Sequence, residues 1–525
     1  MKLKKMSALL LTAALTVTTM RTSVFAEGES SGGISESQSL KIVTKPADNT
    51  AGGSRISTPW YNRSWATNFM FRALFIATDG ELTNVEPDLA ESYEVSDDGL
   101  TYTITLKDGL AWSDGEPLTV EDVQWSIETA QKAAKINSIY TAAFSNIDSI
   151  ETEGNTITLT LSAPYSIMPA VLAQFAILPK HCLEDVDPLN MDSDEYWANP
   201  VTSGMFTVDE LNVGNYFTMK LNENYEGTEP KIKSVICYYV NDYVTAAQDG
   251  KIDLISESDP AMEEALSNMG TYKSYDINSL FYKYLIFNIK GVDGNENEAM
   301  ANPEVRKALV EAIDRAALST LYPNAAVLNS GVPNDNAAYN GFEYTYDPEK
   351  AKADLTAAGY DMSRTLKICY YNSDQTSVDF INTIVYYLQQ IGLNVEATLS
   401  NDGTTDLFTT RDYDIGFKGK SSFSIDEWYT EYMSTDGLFA NIFGGDTDFD
   451  ESIAKLSSAL TEEERNEALT ELQGLEQEKV YKVPLFTVGT YAFVSDRLTI
   501  PEGVEFCNPL YMNDIDFENW EITKQ

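Results

Sequence analysis

Apolar and polar residues alternate strictly over 100–106, where Leu100-Thr101-Tyr102-Thr103-Ile104-Thr105-Leu106 reads as a half-buried strand rich in β-branched and aromatic side chains. The preceding Asp97-Asp98-Gly99 predicts a turn, because glycine tolerates positive φ. Downstream, Trp112-Ser113-Asp114-Gly115-Glu116-Pro117-Leu118 makes a tight turn, and Thr119 caps a helix with Val123, Ile127 and Ala130 on one face. Beyond residue 300 the period changes from that of a strand to that of a helix. Asn302 and Pro303 stand at N-cap and N1 ahead of the apolar face Val305, Ala308, Leu309, Ala312 and Ile313. Asp347 and Pro348 repeat that start, and Gly359 supplies the stop. Val378, Ile381, Val385 and Leu388 mark a helix ending near Gly392, followed by a strand over 393–399. Thr461 with Glu464 forms a capping box that opens a long acidic helix. Helices alternating with strands predict βαβ units and a mostly parallel sheet in this half, whereas strands dominate the earlier half.

Several of these segments recur as ordered motifs. Pro87-Asp88-Leu89-Ala90 leads through the strand and turn just described; then come Ala176-Ile177-Leu178-Pro179-Lys180-His181 and Pro200-Val201-Thr202-Ser203-Gly204-Met205-Phe206. Asn288 closes a strand, Asn302-Pro303-Glu304-Val305-Arg306-Lys307-Ala308-Leu309 runs on to Ala312-Ile313-Asp314-Arg315, and Tyr346-Asp347-Pro348-Glu349-Lys350-Ala351-Lys352 runs on to Ala358-Gly359-Tyr360. In this order they resemble the extracellular solute-binding proteins of family 5, the group with the oligopeptide, dipeptide and nickel receptors of ABC importers. The resemblance covers nearly all of the chain after about residue 38. It implies an α/β, periplasmic-binding-protein-like type II fold, with two lobes in three domains, a hinge and an interlobe cleft. The expected division is a discontinuous domain I (40–78, 191–280 and 485–525), domain II (79–190) and domain III (281–484). The implied function is capture of an extracellular solute by hinge closure and delivery to ABC permease subunits, by a monomer that performs no catalysis.

Composition adds the address. Residues 1–26 carry Lys2, Lys4, Lys5 and Arg21, no acid and an apolar centre, and read as a secretory signal peptide. Its removal deepens the formal net charge from −45 to −49, a surface that repels nucleic acid and anionic lipid. Residues 27–39, rich in Gly, Ser and Glu, read as a flexible tether. Gram-positive members of the family usually carry a lipid-modified Cys before such a tether, and this chain has none there, so export to a periplasm or the outer cell surface is expected without that anchor. Cys182, Cys237, Cys369 and Cys507 match no CxxC spacing, and His181 is the sole histidine, so no metal and no cofactor is expected and a Ser-His-Asp triad finds little to build on. Gly419-Lys420-Ser421 lacks the first glycine of a phosphate loop, and Asp446, Asp448 and Asp450 lack the turn glycine and the final Glu of a calcium loop. With 81 acidic residues, a glycosidase-like carboxylate pair is non-specific and stands as the enzyme alternative, beside a surface binding module without transport.

The chain's 30 Tyr, 22 Phe and 7 Trp suit a stacking cleft. Trp60, Tyr61 and Arg63 lie where the family places cleft residues, and Phe281 and Tyr282 precede the expected crossing between lobes. In the family's peptide receptors a Gly-Trp-x-x-Asp-like stretch supplies a carboxylate to the peptide's α-ammonium group. Here Phe417 stands in the Trp position, Lys418 and Lys420 occupy the stretch where that Asp is expected, and Asp426 is the nearest candidate substitute, with Phe423, Trp428 and Tyr429 around it. Lysines facing the cleft would favour a carboxylate, phosphate or hydroxyl-rich ligand over an ammonium. Peptide and oligosaccharide are therefore both open as the solute.

Overall fold

The expected alternation over 100–106 becomes the strand Thr101–Leu106 of the computed structural model, with Tyr102, Ile104 and Leu106 buried and its three threonines half-buried. The structure describes residues 34–45, 55–61, 63–78, 84–133, 138–257, 259–277, 280–322, 324–422, 424–506 and 515–524. The expected signal peptide, most of the tether, Cys507 and Phe423 lie outside them. The tether's last residues are docked: Glu36–Gln38 forms a 3-10 turn, Ser39 Oγ hydrogen-bonds Ser234 Oγ at 2.7 Å, and Arg497 donates to the Ser37 carbonyl.

Thr101–Leu106 pairs with Ala90–Val95 and Thr156–Leu161 in a four-stranded antiparallel sheet completed by Ile147–Glu153. Thr119 forms the predicted cap, with Asp122 reciprocating, and the helix Val120–Ala130 buries Val123, Ile127 and Ala130. A second four-stranded sheet places Leu40–Thr44 parallel to Ser234–Tyr239, followed by Tyr216–Leu221 and Phe206–Asn212. These sheets make one lobe. The other is built on a six-stranded sheet in the order Ala326–Val327, Lys482–Thr487, Phe281–Phe287, Ile415–Ser421, Thr365–Tyr370, Asn394–Leu399.

The larger sheet corrects the expectation of a mostly parallel one. Thr365–Tyr370, the helix Gln375–Gln390 and Asn394–Leu399 form the anticipated βαβ unit, but the three pairings made by Phe281–Phe287 and Lys482–Thr487 are antiparallel. The reason lies in the connection between lobes. Tyr272–Ile277 of a three-stranded sheet in the first lobe runs on into Phe281–Phe287, and Lys482–Thr487 runs back into Thr490–Ser495 beside Tyr272–Ile277. A chain that enters and leaves a lobe through neighbouring strands must place them antiparallel. These two crossings form the joint.

Phe281–Phe287 is buried on both faces and is apolar or aromatic at every position but Lys283, which is itself buried. Leu285 and Phe287 pack with the helices Pro303–Glu311, Pro348–Ala357 and Gln375–Gln390, whereas Tyr282, Tyr284 and Ile286 face the opposite layer with Trp428 and Tyr429. The Asn-Pro-Glu-Val-Arg motif also has a structural account. Asn302 caps its helix by accepting from Glu304 N, and buried Arg306 donates Nε to the Val480 carbonyl at 3.0 Å, with further bonds to the Lys479 and Met300 carbonyls.

Candidate functional site

Between the lobes lies a cavity of about 1010 Å³. The first lobe contributes Asn84, Tyr93, Val95, Tyr102 and the segment from Ser166 to Ala170; the second contributes the loop from Pro333 to Ala337, Asp426, Trp428 and the start of the acidic helix with Glu462 and Arg465. Leu280 and Thr487, at the two crossings, line it too. The lobes touch beside it. Ser166 N donates to the Ser457 carbonyl at 2.9 Å, and Tyr165 OH donates to Glu427 Oε1 at 3.2 Å.

The short helix Asp426–Tyr429 forms the floor. Trp428 is buried and stacks on Tyr282 with centroids 4.1 Å apart, and Tyr282 stacks on Tyr284 at 4.7 Å. The indole Nε1 of Trp428 has no hydrogen-bond partner among the described residues. Beside it the carboxylate of Asp426 is paired with Arg465, Nη2 to Oδ1 at 2.7 Å and Nε to both oxygens at 2.9 and 3.1 Å. Arg465 reaches it from the first turns of Glu462–Lys479, whose Thr461–Glu464 capping box forms as expected.

Beneath the floor lies a buried ionic cluster. Lys482 Nζ donates to Glu431 Oε2 at 2.9 Å, to Tyr282 OH at 2.8 Å and to the Trp428 carbonyl. Lys418 and Lys420 place their ammonium groups 3.5 and 3.9 Å from Glu431 Oε1, and Tyr284 OH donates to that oxygen at 2.9 Å. Burial alone would raise the Glu431 carboxyl, but Lys482, Lys420 and Lys418 pull it down to about 2. Burial lowers Lys482 to about 8 against the opposing pull of Glu431. Next to this cluster, burial raises the carboxyl of Glu476, which accepts from Tyr432 OH at 2.7 Å and from Gly331 N at 2.8 Å.

Of the residues singled out from sequence, Asp426 and Trp428 line the cavity. Lys418 and Lys420 instead turn toward Glu431: they belong to the strand Ile415–Ser421, where alternation puts both on the face of their register partners Tyr284 and Tyr282. Tyr429 is buried against Glu476. Phe417 points to the other face and stacks on Phe380 at 4.9 Å. Trp60 is core, its Nε1 donating to the Ala176 carbonyl at 2.8 Å and its ring stacked on Phe175, and Tyr61 packs half-buried against the same core. Arg63 lines a separate, smaller cavity of about 130 Å³. Phe281 is half-buried beside Lys283. Sequence reasoning missed Tyr93, Tyr102 and Arg465. The lone arginine within Glu462-Glu463-Glu464-Arg465-Asn466-Glu467 was a usable signal for the last; nothing local distinguishes the two tyrosines from ordinary strand residues.

A cleft-bearing, two-lobed binding protein whose chain crosses twice between lobes is the class this geometry defines. Residues 84–450 match the family described as bacterial extracellular solute-binding proteins, family 5 Middle, and the chain belongs to that family, as the ordered motifs anticipated. A Brucella ovis protein named for ABC-transporter peptide binding is 28% identical over 344 residues, 63% of this chain and 63% of that protein, so the match spans less than two thirds of its length. Glutathione-binding protein GsiB of Escherichia coli is 27% identical over 360 residues, 66% of each chain. The ABC transporter substrate-binding protein CtaP of Listeria monocytogenes has the same fold, with a TM-score of 0.75 and 22% identity over 93% of this chain and 99% of its own. The expected type II binding-protein fold is thereby borne out.

Proposed function

We propose that this protein is the receptor of an ABC importer, closing around an extracellular oligopeptide and passing it unchanged to membrane permease subunits. The observation that carries the reading is the cavity between the lobes, roofed by tyrosines and floored by Trp428 and the Asp426–Arg465 pair. Such a cavity offers large rigid faces to side chains and polar groups to a peptide backbone. Ligand contacts available from both lobes at once raise the closed population by their differential affinity, which lets a permease tell loaded receptor from empty. Peptide is favoured over oligosaccharide for two reasons: the relatives are named for peptide and glutathione, and the lysines that argued for a hydroxyl-rich or anionic ligand are engaged with Glu431. We further propose that the protein acts as a monomer outside the cytoplasmic membrane, and that Asp426, Trp428, Arg465, Tyr93 and Tyr102 are its contact residues.

A thermal-shift screen of mixed peptides, glutathione and oligosaccharides tests the reading. A ligand at a hundred times its dissociation constant stabilises by about 2.7 kcal/mol, so one class should raise the melting temperature clearly. Tyr93→Ala, which truncates a 36% exposed ring of the first lobe, should weaken the identified peptide at least about tenfold, roughly 1.4 kcal/mol, with little change in the ligand-free melting temperature. A response to oligosaccharides alone, or chemical turnover of the ligand, would sink the proposal.

A further inference from the structure

Away from the cleft, the chain's sole histidine, its most accessible described cysteine and one carboxylate converge. His181 Nε2 lies 2.9 Å from Asp114 Oδ2, and the ligating atoms of Asp114, His181 and Cys182 all fall within 4.8 Å of one another. The three come from two pieces of chain, a turn and a short helix. Asp114 sits in the tight turn closed by Gly115 at φ +91°, and its other oxygen, Oδ1, accepts from Glu116 N at 3.1 Å, which leaves Oδ2 facing the histidine. His181 and Cys182 are consecutive in the short helix Lys180–Leu183, whose first amide is held by Asp122 Oδ1 at 2.9 Å. Cys237 and Cys369 are buried elsewhere, so among the described residues Cys182 is the thiol that stands at a partly exposed position with two further donors.

We propose that Asp114, His181 and Cys182 form a site for a borderline-soft divalent cation of the zinc class. Imidazole nitrogen, thiolate sulfur and carboxylate oxygen are the donors that zinc takes, and three protein donors leave a fourth tetrahedral position to solvent. Bond lengths of about 2.0 to 2.3 Å put tetrahedral ligand atoms roughly 3.3 to 3.8 Å apart, so binding opens the 2.9 Å His181–Asp114 pair by under about 1 Å and draws the set in from its 4.8 Å limit. On binding, the Cys182 Sγ–H bond breaks, its proton passes to solvent, and sulfur takes up the ion; His181 binds through the nitrogen that now faces Asp114. The ion would pin the 112–118 turn to the helix Lys180–Leu183 within one lobe. The site is separate from the interlobe cavity and independent of the ligand bound there.

The test uses the reduced, metal-stripped full chain. Cobalt(II) should give a thiolate-to-cobalt charge-transfer band that saturates at one ion per chain and is displaced by Zn²⁺. Cys182→Ser should abolish the band, and His181→Gln and Asp114→Asn should each weaken Zn²⁺ by more than about 100-fold, beyond the range seen for outer-shell partners. A readout without any variant covers misfolding: Zn²⁺ should protect Cys182 from alkylation, mapped by mass spectrometry. Absence of the band in folded wild type, its persistence in Cys182→Ser, or alkylation of Cys182 unaffected by Zn²⁺ would each overturn the proposal.

Discussion

Glu431 shows what single residues do beneath the binding floor. Its carboxylate faces the ammonium groups of Lys418, Lys420 and Lys482 and the hydroxyl of Tyr284, and Lys482 also holds the carbonyl of Trp428. Removing one partner from such a cluster leaves buried charge without compensation, so Glu431→Gln should destabilise the fold by about 3–5 kcal/mol near neutrality. A carboxyl held below its ordinary value stabilises above its unfolded value near 4.5, and that contribution is lost as pH falls toward about 2. The difference between wild type and Glu431→Gln should accordingly shrink from pH 5 downward in denaturant unfolding; a gap that stays constant with pH would contradict the role assigned to this carboxylate. Asp426 and Trp428, read from sequence as a substitute carboxylate and an aromatic near it, do line the cavity although neither stands at the family's Trp or Asp position. The partner that redirected Lys418 and Lys420 was not legible in the sequence, since Glu431 follows a helical turn whose path no local pattern announces.

Among the elements, caps were the most readable. Thr119, Asn302, Asp347 and Thr461 each accept from a backbone N–H of the helix they open, because a polar side chain before an apolar periodic run has one low-energy use. Strand direction was less readable. Period-two patterning identifies a strand but carries no information on whether its neighbour is parallel, and here the two crossings between lobes decide it. The second crossing contains Gly489, where a Cβ would lie 2.6 Å from the Asn324 carbonyl oxygen and 2.5 Å from its Cβ. The Gly489→Ala variant should therefore displace the joint, costing about 1–3 kcal/mol of stability and weakening the peptide several-fold in calorimetric titration although no cavity residue has changed. Unaltered affinity and stability would show that the crossing has slack.

At the scale of the whole molecule, the C-terminal segment returns through the joint to pair as Thr490–Ser495 between Leu254–Glu257 and Tyr272–Ile277. Nothing in that segment's own pattern foretells this pairing; it was an expectation of the family resemblance, because long-range strand partners depend on the fold and not on local periodicity. With both crossings side by side, the proposed closure would swing the second lobe on one edge of the first. Small-angle X-ray scattering of the protein, alone and with saturating peptide, tests this account most directly. It predicts a smaller radius of gyration on binding and recovery of the same peptide, intact, when the complex is denatured; an unchanged scattering profile at full occupancy, or a cleaved peptide, would contradict it.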